Sequence, residues 1–151
     1  MAKYEEVFED TQDLYTRLIN EASLNHVNIT ILADNKAKEI YKLNKANALL
    51  KFRSGDDIII VLNEKIFEKL TQEQQVIISE ESLAGISYDG ENDKIELKKP
   101  DFTAYTGILR KYNYETVDTL RESIISLYQA EKQAEDEAKN ANTPKAKKQY
   151  S

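Results

Sequence analysis

The chain has 151 residues, 40% hydrophobic and 32% charged, with 27 acids against 21 bases for a net charge of −6. No apolar run reaches the roughly 18 residues of a membrane-spanning helix, and the absence of cysteine removes disulfides, Cys-bound zinc and thiol chemistry. The single histidine, His26, excludes any site that needs two imidazoles from one chain, and the acidic balance argues against a general nucleic-acid binder, whose affinity rests on a basic excess.

The polar start, Met1 to Glu6, leads straight into a helical pattern and does not read as a signal peptide. Tyr4, Val7, Phe8, Thr11, Leu14, Tyr15, Leu18, Ile19 and Ala22 recur at the three-and-four spacing of one helical face, which predicts a helix over 4–22. His26 to Ala33 alternates as a half-buried strand, and Asp34-Asn35-Lys36 is a turn. Residues 36–47 read as irregular or β, 48–52 as a short strand, and Arg53-Ser54-Gly55-Asp56 as a turn. The run Ile58-Ile59-Ile60-Val61-Leu62 reads as a central strand buried on both faces.

Asn63 can cap a short helix holding Ile66, Phe67 and Leu70. Thr71 and Gln74 form a capping-box pair that opens a helix running to Leu83 or Ala84, with Gly85 as terminator. Residues 86–98 alternate about a polar turn and predict a β-hairpin. Pro100-Asp101 starts a helix with Phe102, Tyr105, Ile108, Leu109 and Tyr112 on its apolar face. The last helix begins near Glu115 on a seam of Val117, Leu120, Ile124, Leu127 and Tyr128, and continues past Ala130 as a charged extension. Thr143-Pro144 should break it before a short tail carrying Lys145, Lys147 and Lys148.

In this order the stretch from about Val27 to Tyr128 resembles the phage metallopeptidases, which are similar to SprT-like zincins. The residues that carry the resemblance are Asp57 to Glu64, Leu70 to Gln75, Ile77 to Ile86, Lys99 to Phe102, and Ile108 to Tyr112. Members of that family show a buried strand, a capped helix start and then a zinc-binding His-Glu-x-x-His, followed by a hairpin and a further helix. By this alignment Glu80 stands at the first zinc-binding histidine, Glu81 at the catalytic glutamate and Ala84 at the second histidine. Zincin chemistry needs two imidazoles one helical turn apart on one metal, with the glutamate between them activating the bound water. The resemblance therefore implies the fold without the activity, and with it no catalytic residue, no metal and no cofactor.

Other clusters invite weaker chemistry. Glu80, Glu81, Asp89, Glu91 and Asp93 could take a hard cation, but Asp89 to Asp93 lacks the full twelve-residue calcium-loop pattern and reads first as an ordinary hairpin turn. Glu80 and Glu81 as acid and base would point about 100° apart on a helix, so they would not readily face one substrate. His26 reads as a strand-edge histidine with a local hydrogen bond. Of the nine tyrosines, Tyr4, Tyr15, Tyr105, Tyr112, Tyr114 and Tyr128 lie at or beside helical seams and read as core or half-buried residues rather than base-stacking platforms.

The expected architecture is an α+β, zincin-like domain with a small mixed sheet and packed helices. It divides into an N-terminal helix (1–24), a degenerate metallopeptidase-like domain (25–130) and a charged helical extension with a flexible tail (131–151). The expected role is that of a catalytically inactive phage protein that binds a host or phage protein in the host cytoplasm or in the virion, with no membrane or nucleic-acid partner. The alternatives are an active metal-dependent peptidase or hydrolase with an atypical site, a structural virion component, and an acidic DNA-mimic-like inhibitor.

Overall fold

The computed structural model describes residues 3–89, 91, 94–97, 108 and 111–142. Its elements follow in the order β1 (Glu5–Glu6), α1 (Glu9–Glu21), β2 (Ile29–Ala33), β3 (Tyr41–Lys45), α2 (Ala48–Ser54), β4 (Ile58–Leu62), α3 (Glu64–Phe67), α4 (Gln72–Ala84), β5 (Ile86–Asp89), β6 (Lys94–Leu97) and α5 (Tyr114–Asn142). The protein is of the α+β class. A mixed sheet has the order β1-β2-β4-β3, with β2 and β4 parallel and the other pairs antiparallel. The predicted hairpin forms as β5 and β6, but as a separate two-stranded sheet rather than as part of the larger one.

The β-branched run makes β4 the central strand. Its two faces differ: Ile58, Ile60 and Leu62 are fully buried, whereas Ile59 and Val61 are half-buried. The core joins them to Tyr15 and Leu18 of α1, Ile31 of β2, Ile66 and Phe67 of α3, Ile77, Ile78 and Leu83 of α4, and Val117, Leu120 and Ile124 of α5.

Two elements differ from their sequence expectation. The helix predicted over 4–22 starts at Glu9, because Phe8 is extended and its N–H donates to Glu64 Oε2 at 2.9 Å, while Glu5 and Glu6 pair with Ala33 and Leu32. A long-range partner thus overrides the local helical period, and Tyr4 lies exposed outside the helix. The strand predicted over 48–52 is the helix α2. Asn47 Oδ1 caps it through Leu50 N at 2.8 Å, Ala, Leu, Lys and Arg favour helix, and Gly55 ends it at φ 80, a conformation that strains any residue with a Cβ. The undecided stretch before it supplies the edge strand β3.

The other local signals hold. Asp34 accepts from Lys36 N at 3.1 Å in the predicted turn. Asn63 caps α3 through Ile66 N, and Thr71 and Gln74 form a reciprocal capping box at α4. The helix predicted from Asp101, with Phe102, Tyr105 and Leu109, lies outside the described residues, as do Asp93 and the lysines of the tail. The extension after Ala130 is helical to Asn142, and Glu131 is bound rather than solvated. It pairs with Lys65 at 2.8 Å and with Lys69, which ties α5 to α3 and holds the Glu131 carboxyl below its ordinary range.

Asp57 anchors the entry to β4. It is 6% exposed, accepts from Asn28 N at 2.9 Å and pairs with Lys51 of α2 at 2.6 Å. Burial pushes its carboxyl up, but the Asn28 N–H and the Lys51 ammonium outweigh burial and the net shift is down. With its folded value below its unfolded one, the carboxylate's contribution is complete above the unfolded value near 3.9. It is lost as pH falls through the lowered folded value. Asp57→Asn should cost about 1–2 kcal/mol at neutral pH. In urea titrations the gap to the parent should close only below about pH 4; a gap already closed at pH 6 would show that the charge is not what holds this turn.

Candidate functional site

The site is built on α4, whose residues are buried on several sides: Ile77, Ile78, Ser79, Glu81, Ser82 and Leu83 are all buried. On the α1 side, Tyr15, at 0% exposure, has its hydroxyl 2.9 Å from Ser82 Oγ, which donates to Ser79 O at 2.7 Å. Burial pushes the Tyr15 phenol up to about 12, so it stays protonated at any physiological pH. On the α5 side, Gln74 Nε2 reaches Ser123 Oγ at 3.3 Å. The helix is thus clamped between α1 and α5 by hydrogen bonds, buried on the α1 side and partly buried on the α5 side, as well as by apolar packing.

The three aligned positions diverge. Glu80 accepts from the Tyr112 hydroxyl and pairs with Lys111. Burial, reinforced by the Glu80 carboxylate, raises the Tyr112 phenol well above its ordinary value. Glu81, 2% exposed, accepts a charge-assisted bond from Arg121 Nη2 of α5. Its second oxygen, Oε2, is buried with no hydrogen-bond partner. Burial lowers the Arg121 guanidinium from its usual value. Ala84 is half-buried and packs on the core with its methyl group. The two glutamates therefore face different partners, as their 100° separation on a helix requires.

These residues do not fit a zinc ion. Glu80 and Glu81 already hold cationic partners, and Ala84 has no ligand atom. Exposed His26 stacks edge-on against Tyr88 of β5, with ring centroids 4.2 Å apart. Among the described residues no group of three or more His, Cys, Asp or Glu could hold a metal. Of the proposed hard-cation ligands, Glu91 is exposed, while the Asp89 side chain and Asp93 lie outside the described residues.

The pairing of Lys111 and Tyr112 with Glu80, and above all of Arg121 with Glu81, was not foreseen from the sequence. Arg121 had a signal: helical projection at 100° per residue places it beside Val117, Ile124 and Tyr128, so a guanidinium stands on an apolar seam. A charge there needs a buried partner, and Glu81 is that partner.

With this geometry in view, comparison with protein-family models matches residues 2–125 to the family described as "Putative phage metallopeptidase". The chain belongs to that family. No curated protein and no solved structure matches it. The family match takes in β1 and α1 as well as the stretch from Val27 that carries the motif resemblance. In this member of the family, α4 carries the segment Glu80-Glu81-Ser82-Leu83-Ala84. No helix among the described residues is long and apolar enough to cross a membrane.

Proposed function

We propose that this chain is a non-catalytic member of the phage metallopeptidase family that acts by binding a protein of host or phage origin in the host cytoplasm. The observation that carries the reading is the Glu81–Arg121 pair. The one family-type catalytic side chain is buried and bound to a guanidinium, and neither neighbouring ligand position carries an imidazole. What supports the reading is that α4 presents this glutamate to Arg121 of α5 and not to solvent, whereas a general base in a zinc peptidase must face metal-bound water. What such a scaffold offers a partner is a hairpin, the open edge of β3 and exposed helical faces.

Metal content decides the first half of this reading. Untagged protein exposed to zinc and desalted should retain almost none by plasma mass spectrometry, and should leave casein uncut. About one zinc per chain, with casein cleavage abolished in Glu81→Gln, would overturn it. The second half requires one specific protein to co-purify reciprocally with the chain from host or infected-cell lysate; cross-linked lysates that yield none would sink it.

A further inference from the structure

The helix α2 buries none of its seven residues. Leu49 is 73% and Phe52 85% exposed, and no other large apolar side chains are as open among the described residues. At 100° per residue, Ala48, Phe52 and Leu49 share one face, with Lys51 and Arg53 flanking it on either side. From Ile40 to Gly55 the chain carries Lys42, Lys45, Lys51 and Arg53 and no acid, although its net charge is −6. An apolar ridge edged by cations on an otherwise acidic molecule seeks an apolar groove edged by carboxylates.

The same molecule has a polar depression in which a few apolar residues sit among carboxylates. Between the start of α1 and the start of α4 lies an open depression of about 860 Å³ whose lining includes Phe8, Leu14 and Val76, with the carboxylates of Glu9, Asp10 and Glu68 around them. The one base among its lining residues, Arg17, pairs with Glu21 at 3.5 Å. We propose that α2 of one copy docks in the α1–α4 groove of a second copy, with Leu49 and Phe52 against the apolar residues and Arg53 among the carboxylates. Ridge and groove are different patches of one chain, so the contact closes as a two-fold pair where both face the partner together and otherwise propagates head to tail. The inference is independent of whether the chain cleaves anything.

Sedimentation equilibrium of the full chain tests it. The parent should exceed its monomer mass of 17.4 kDa at tens of micromolar protein. Leu49→Glu with Phe52→Glu should weaken association by about tenfold or more, since such anchors dominate an interface. Both side chains are exposed, so the fold should be untouched, and circular dichroism checks this. Charge reversal supplies the specific arm. Arg53→Glu alone and Glu9→Lys with Asp10→Lys alone should each be impaired, while mixing the two variants should restore a complex. A parent that stays monomeric, an association indifferent to Leu49 and Phe52, or a mixture that fails to recover would overturn the proposal. So would a monomer whose Phe52 instead mediates binding to phosphatidylglycerol vesicles.

Discussion

Arg121→Met is expected to destabilise the protein by about 3–5 kcal/mol, because it strands the buried Glu81 carboxylate without a counter-charge. Glu81 is 2% exposed, and its Oε2 already lacks a hydrogen-bond partner, so no second donor softens the loss. Glu81→Met should cost less, since the Arg121 side chain is 26% exposed and its guanidinium can reach water. The double variant Glu81→Met, Arg121→Met should return to within about 1–2 kcal/mol of the parent, because two apolar groups replace a buried ion pair. Urea unfolding of all four proteins closes the cycle, and the coupling energy is the readout. A loss below about 1 kcal/mol would show that something other than Arg121 neutralises Glu81.

This cycle bears on function as well as stability. In a zinc peptidase the glutamate of the motif must be free to accept a proton from metal-bound water. Here the side chain at that position joins α4 to α5, and its neighbour Glu80 joins α4 to Lys111 and Tyr112. Both carboxylates act as ties between elements separated by 31 to 40 residues.

That separation explains what could be read from sequence and what could not. Signals that act within four residues were legible: the Thr71–Gln74 capping box, the Asn63 cap and the Asp34 turn each appear where the sequence puts them. That Glu80, Glu81 and Ala84 fall on one helix, α4, was legible too, because the capping box and Gly85 mark its two ends. The start of α1 was not, since Glu64 holds Phe8 N from 56 residues away. The misreading of 48–52 has a different cause. Leu49, Leu50 and Phe52 look like buried strand residues only if apolar side chains must find a core, and in α2 they do not. The partners of the two glutamates were hidden for want of a local signal at Lys111 and Tyr112, whereas Arg121 betrayed itself by its place on an apolar seam.

The sharpest remaining contrast lies inside β4, where five apolar residues in succession give no hint of which face is deeper. Ile60→Ala should cost about 2–5 kcal/mol, because the side chain is 0% exposed and the strand is flanked by β2 and β3, leaving little room to collapse. Ile59→Ala, one residue away on the half-buried face, should cost about 1–2 kcal/mol, in proportion to the smaller apolar area it removes from water. The comparison is controlled for backbone propensity, since both changes replace isoleucine by alanine in the same strand, and both residues have antiparallel partners in β3, Leu43 for Ile60 and Asn44 for Ile59. Midpoints of urea unfolding with an unchanged slope would place the difference in packing. A reversed order would mean that β4 presents its other face to α1 and α4. A one-residue slip against β2 would produce that reversal, because it exchanges the faces of every side chain in the strand.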